Sequence, residues 1–149
     1  MMRRSGNAVW LGTLRDGRGA LATPSRVLDE APYSFATRFG DAAGTNPEEL
    51  MAAAHAGCYS MALSFLLASA GLAPRRIQTR AELSIESSGP SWSVTAIHLT
   101  VSAQVPGAAE DDFQRIAEQA RSGCLVTRML SASVIVTMDA RLEASAEPA

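Results

Sequence analysis

A chain of 149 residues that is 47% apolar has the size of one globular domain and the apolar side chains for a sizeable core. Its formal charge of −2, a pI near 5.7 and 13 scattered cations leave no basic footprint, which argues against a nucleic-acid partner. All 13 cations are arginine, which excludes a lysine Schiff base and a P-loop lysine, and two cysteines do not make a disulfide scaffold.

The opening MMRRSGNAVWLG has two arginines and no apolar segment behind them, so it does not read as a secretory signal and the cytoplasm is the expected compartment. Residues 6–24 read as a hairpin, with Asp16-Gly17 as its turn. A proline-containing connection and a short aromatic stretch, YSFATRF, follow. Asn46, Pro47 and Glu49 then mark a helix start: a capping asparagine, a proline at the first helical position and a carboxylate placed for a capping box. The helix is predicted to reach about Ala70, with Gly71 at its end and Pro74 barring continuation. At about 1.5 Å per residue it would be roughly 36 Å long.

Apolar residues occupy nearly every face of that helix, so it needs cover all round, and a second copy of the chain is the expected cover. The run from Leu50 to Ala73 has the length of a membrane span, but His55, Ser60, Ser64 and Ser69 interrupt it, and no membrane partner is expected.

From Ile77 the period changes to two, with Ile77, Ala81, Leu83 and Ile85 alternating with polar residues as in a half-buried strand. SSGPS turns the chain into a second strand. Its apolar positions change phase between Trp92, Val94, Ala96 and Ile97, Leu99, Val101, which predicts a bulge near Ala96 and Ile97. EDDFQRIAEQARSG reads as a helix that buries Phe113, Ile116, Ala117 and Ala120 and ends at Gly123. CLVTRML reads as a short helix beginning at Cys124, and Val134 to Leu142 as a final strand. The expected fold is α+β, with a long helix and a mostly antiparallel sheet, as one domain over residues 1–142 followed by a loose tail, 143–149.

The chemistry candidates gather around two thiols. Cys58 alone is either a small core residue or a nucleophile that needs a cation from outside its own helix. His55, at i−3, shares its helical face and leaves a cysteine–histidine pair open beside a merely packed histidine. Arg38, between Phe35 and Phe39, could fold back over the helix or stay solvated, and Arg15 is a further candidate for that cationic role. Glu48 lies ten residues before Cys58, about 15 Å along a helix axis. It could hold an arginine, or simply suit the positive end of the helix. Cys124 follows a glycine at a helix junction, where amides would favour its thiolate. Two histidines and two cysteines at unrelated spacings form no zinc motif.

GTNPEELMAAAHAGCYSMALS, followed at a distance by CLVTRML and a last strand, resembles the OsmC/Ohr family of thiol-dependent organic hydroperoxide reductases, and AAHAGC is closer to its OsmC branch. The resemblance covers nearly the whole chain. It implies a thiol peroxidase that reduces organic hydroperoxides and works as an intertwined homodimer with a cellular dithiol as reductant, using no metal, haem or flavin. By the same resemblance Cys58 matches the peroxidatic cysteine, Cys124 the resolving cysteine that closes a disulfide with it, Glu48 the site carboxylate and Arg38 its arginine. Leu125 departs from the family's proline after the second cysteine, and Thr127-Arg128 stand where serine-lysine is usual. Two other readings of the same residues are a cysteine hydrolase built on Cys58 and His55, and a non-enzymatic dimeric stress or binding protein.

Overall fold

The computed structural model describes residues 1–144, so the predicted tail falls outside the described residues from position 145 on. The chain forms two compact units, Met1–Leu50 and the part from Met51 onward.

In the first unit, β1 (Asn7–Leu11) and β2 (Arg18–Ala22) pair antiparallel as the expected hairpin, Asn7 opposite Ala22 and Leu11 opposite Arg18. Its connection is a six-residue loop, Gly12–Gly17, wider than the Asp16-Gly17 turn read from the sequence. The Gly17 N–H closes on the Thr13 carbonyl at 2.8 Å, and a Cβ on Gly17 would collide with the carbonyl oxygens of Thr13 and Leu11.

A third strand, β3 (Ala31–Tyr33), joins β2 at the sheet edge, where Pro32 is tolerated. The aromatic stretch then forms a short helix, α1 (Phe35–Phe39), which the sequence reading left unassigned. Its start is a reciprocal capping box: Ser34 Oγ accepts from the Thr37 N–H at 3.2 Å and Thr37 Oγ1 from the Ser34 N–H at 2.9 Å.

The long helix α2 (Pro47–Ser69) begins and ends where its signals place it. The Glu49 N–H donates to Asn46 Oδ1 at 2.8 Å. The Glu49 carboxylate accepts from Thr45 Oγ1 at 2.7 Å instead of reaching back to the cap, so the capping box closes on one side only. At the other end Leu72 N–H bonds to the Leu67 carbonyl and Gly71 N–H to that of Ala68, with Gly71 at φ +78°. That is a Schellman stop, which glycine adopts without a Cβ penalty.

The second unit is built on a sheet ordered β4 (Arg76–Ser88), β5 (Ser91–Gln104), β6 (Ile135–Leu142). β4 and β5 pair antiparallel across Gly89-Pro90. Ser84 faces Ala96 while Ile85 faces Val94, so Thr95 is the extra residue of a bulge one position before the predicted one. β6 runs parallel to β5, because the chain returns through α3 (Glu110–Gly123) and α4 (Leu125–Met129). Cys124 is not the first residue of α4 but the hinge between the two helices, capping the end of α3 and the start of α4.

The core of this unit follows from spacing. His55, Tyr59, Leu63 and Leu67 recur every four residues along α2 and are fully buried. Tyr59, Leu63 and Leu67 belong with Ile97, Leu99 and Val101 of β5 and with Phe113, Ile116, Ala117 and Ala120 of α3, the α3 residues the sequence picks out. The Tyr59 hydroxyl donates to the Ala117 carbonyl at 3.2 Å, which satisfies its polar end inside the core.

The opposite side of α2 stays open: Met61 is 77% exposed and Phe65 70%. The serines and His55 do not weaken the apolar character of α2 as the sequence reading supposed. Its mean hydropathy reaches 1.5 over 18 residues, so on length and composition it could cross a membrane. Its buried stripe nevertheless faces protein, packed into the core of the second unit.

Leu63 is therefore expected to matter far more than its exposed neighbours. Leu63→Ala should lower unfolding stability by about 2–5 kcal/mol through lost contacts and a residual cavity, read as a shift in the urea midpoint.

Candidate active site

Two sequence-distant sulfurs meet in the second unit. Cys58 lies one position from the buried Tyr59 and packs against the core while remaining only partly covered. Cys124 is held at the end of α3 by its N–H bond to the Ala120 carbonyl at 3.0 Å, and its φ of −56° and ψ of 136° break the helix there. Its Sγ stands 3.0 Å from that of Cys58 and donates its thiol hydrogen toward it. A disulfide needs about 2.05 Å, so closing the pair takes a movement of only about 1 Å.

The two thiols are not equivalent. Cys124 is 1% exposed, whereas Cys58 is partly open. Burial pushes the Cys124 thiol above its ordinary range. The amides of Thr127 and Val126 at the start of α4 pull the other way, and the neighbouring Cys58 adds to the rise. The helix-start effect expected for Cys124 is thus present and outweighed by desolvation. The thiol keeps its proton and can serve as the donor of the pair.

His55 is fully buried, and its Nε2 lies 2.8 Å from Thr127 Oγ1, with no hydrogen bond to Cys58 among the described residues. The shared helical face brings the residues near one another in sequence terms, but the imidazole turns toward α4. Its Nδ1 has no hydrogen-bond partner among the described residues, and burial lowers its pKa. A neutral ring engaged with a threonine is not poised as the base of a cysteine–histidine pair.

The other two predicted residues meet in the first unit. Arg38 Nε and Nη2 both donate to Glu48 Oε1, at 2.9 and 2.6 Å, and Glu48 is 9% exposed. The two bonds fix the plane of the guanidinium, which a lysine could not do. Glu48 Oε2 is buried without a hydrogen-bond partner among the described residues.

Arg38 also lies over the Phe39 ring at 5.0 Å, and Arg15 over Phe35 at 5.1 Å. With Trp10, Leu14, Tyr33, Phe35 and Phe39, Arg38 lines a cavity of about 350 Å³ whose wall is largely aromatic. Trp10 and Tyr33 were not picked out from the sequence. They enter through strand pairing, because β1 and β3 flank β2, which neither Trp10 nor the aromatic stretch holding Tyr33 signals in the sequence.

His98 sits on an exposed sheet face, 2.7 Å from Thr137 Oγ1 and 3.1 Å from Asp139 Oδ2. No group of three or more His, Cys, Asp or Glu side chains placed to hold a metal occurs among the described residues.

Comparison with known proteins identifies the family. Residues 40–139 match the family model of the OsmC-like proteins. The chain is 41% identical over 142 residues to peroxiredoxin OsmC of Escherichia coli strain K12, covering 95% of this chain and 98% of that protein, and equally similar to peroxiredoxin OsmC of Shigella flexneri. Among solved structures it resembles an OsmC-like protein from Mycoplasma pneumoniae (TM-score 0.73, 12% identity, covering 95% of this chain and 97% of that one). It also resembles an organic hydroperoxide resistance protein from Elizabethkingia anophelis (TM-score 0.72, 20% identity, 95% and 99%). At such low identities the solved structures speak to the fold.

The buried imidazole gives a pH prediction. Because the folded-state pKa of His55 lies below its ordinary 6.5, the unfolded chain takes up the proton first, so this site costs nothing above pH 6.5 and destabilises the fold as pH falls below it. Urea midpoints at about pH 7.5 and 5.5 should differ in that direction, and His55→Gln should remove the part of the difference due to this ring.

Proposed function

Because the chain belongs to the OsmC family and is a cysteine-based peroxidase, we propose that it reduces organic hydroperoxides to alcohols, with Cys58 as peroxidatic thiol and Cys124 as resolving thiol. The observation that carries this reading is the 3.0 Å contact between a partly open sulfur and a buried one.

In the first step the Cys58 thiolate attacks one peroxide oxygen. The O–O bond breaks, the alkoxide leaves and takes up from solvent the proton that the thiol gave up, becoming the alcohol, and Cys58 becomes a sulfenic acid. In the second, the Cys124 sulfur attacks Cys58, the S–O bond breaks, and the thiol proton of Cys124 leaves with the hydroxide as water. A cellular dithiol then reduces the disulfide by exchange.

Arg38 and Glu48 enter the same reaction by family resemblance, Arg38 as the cation for the thiolate and the peroxide and Glu48 as the carboxylate that orients it. Their paired hydrogen bonds support that assignment. The aromatic wall around Arg38 supports a preference for organic over inorganic peroxides. The homodimer is supported by the exposed Met61 and Phe65 on α2, which leave an apolar face for a second copy to cover. We also place the enzyme in the cytoplasm, where thiols are kept reduced. The hydrolase reading is not favoured, since His55 is engaged with Thr127.

Steady-state reduction of cumene hydroperoxide with a dithiol tests the assignment. Cys58→Ser should fall to the uncatalysed rate, and Cys124→Ser should consume about one equivalent and then slow for want of a resolving thiol. Arg38→Met should lose on the order of 10²-fold in kcat/KM, the usual cost of one preorganised charge stabiliser. Wild-type turnover in Cys58→Ser would contradict the mechanism.

A further inference from the structure

The sulfur pair, which joins α2 to the hinge between α3 and α4, is not the only bridge there. His55 stands three residues before Cys58 on α2, and Thr127 three residues after Cys124 on α4; the two side chains meet at 2.8 Å. A polar bridge therefore runs alongside the 3.0 Å contact of the sulfurs. It links the same two segments of chain with a similar offset on each.

Besides this bond, among the described residues only the half-buried Val126 packs α4 against the core, with Leu130 just beyond its end. The helix is five residues long, with no fully buried side chain, and both Leu125 at its first position (72% exposed) and Met129 at its last (76%) face outward. Thr127 also takes part on two sides at once. Its hydroxyl meets the imidazole, while its amide is one of the two at the start of α4 that favour the Cys124 thiolate, although the sulfur makes no capping hydrogen bond there. A rotation of α4 that broke the first contact would shift the second. His55 is fully buried and its Nδ1 has no hydrogen-bond partner among the described residues, so losing Thr127 would leave both ring nitrogens unsatisfied.

We propose that the His55–Thr127 hydrogen bond is a positioning clasp for the resolving step: it holds α4 so that Cys124 stays within attacking distance once Cys58 carries a hydroxyl. The proposal rests on the peroxidase reading. Condensation forms the S–S bond and breaks the S–O bond, and water carries away the hydroxide and the Cys124 proton; no further oxidant enters. Oxidation of Cys58 adds an oxygen next to a contact that is already close, so Cys124 must yield to admit it and then return. A displacement of about 1 Å from a productive geometry can slow such a step by up to about a hundredfold. Neither Thr127 nor His55 touches the reacting atoms with its side chain, so both act through the placement of Cys124.

The test separates the two chemical steps. Wild type, Thr127→Val and Thr127→Ser are mixed with one equivalent of cumene hydroperoxide and dimedone, and the dimedone adduct on Cys58 and the disulfide are quantified by mass over time. Thr127→Val, equal in shape but without the hydroxyl, should oxidise Cys58 at the wild-type rate. It should then condense about ten- to a hundredfold more slowly, so that dimedone captures most of the sulfenic acid. Thr127→Ser, which keeps the hydroxyl, should condense within about twofold of wild type.

His55→Gln removes the partner from the other helix and should slow condensation in the same way, which keeps the proposal testable if Thr127→Val does not fold. Condensation at the wild-type rate in folded Thr127→Val or His55→Gln would overturn the clasp, as would equal slowing in Thr127→Ser. A wild-type protein whose Cys58 is never oxidised would instead overturn the peroxidase reading beneath it.

Discussion

Two sulfur atoms 66 positions apart in sequence can stay 3.0 Å from one another only while the segments that carry them are fixed to a common core. That constraint explains much of the second unit. α2 presents a stripe of buried residues at four-residue intervals, ending in the glycine stop at Gly71. α3 presents Phe113, Ile116, Ala117 and Ala120 to the same cluster, and the Tyr59 hydroxyl ties it to α2 through the Ala117 carbonyl. Cys124 follows directly, still bonded to α3 by its N–H but with its ψ turned out of the helical range, so the chain changes direction where the sulfur has to be placed. The parallel pairing of β6 with β5 is a consequence of the same path, since α3 and α4 carry the chain back across the sheet.

Burial makes chemically similar thiols different. The sulfur that is nearly inaccessible is pushed toward the protonated form, and the amides at the start of α4 do not reverse this. The partly open one is free to meet a substrate. In the first unit a comparable economy is visible at Arg38 and Glu48: both donors converge on one carboxylate oxygen, fixing the guanidinium beside aromatic rings. A chain with no lysine has only the planar, always charged cation for this task.

Elements that bury one face at a regular period were legible in the sequence. β4 and α3 announce themselves by spacing, α3 also by its acidic start, and α2, apolar on nearly every face, by Asn46, Pro47 and Gly71 at its ends. β3 and α1 do not: three residues containing a proline and five residues started by a Ser-x-x-Thr box are too short for periodicity to register. Strand alternation carries no direction, so it could not reveal that β6 runs parallel.

In the site, Glu48 was legible as a possible holder of an arginine, and Arg38 is the residue it holds. The pairing of Cys58 with Cys124 came from family resemblance, because spacing alone cannot bring such distant residues together. His55 shows the limit of helical-face arguments. Its neighbour at i+3 was evident, but its bond goes to Thr127, 72 positions away, and only tertiary packing decides that.

The account stands on the conversion of the cysteine contact into a covalent bond by peroxide. The most direct measurement is the intact mass of the reduced protein after one equivalent of cumene hydroperoxide, followed by peptide mapping. The expected result is the loss of two hydrogens, about 2 Da, in a peptide pair joining Cys58 to Cys124. An unchanged dithiol, or an oxygen that remains on Cys58 while Cys124 stays a free thiol, would contradict it.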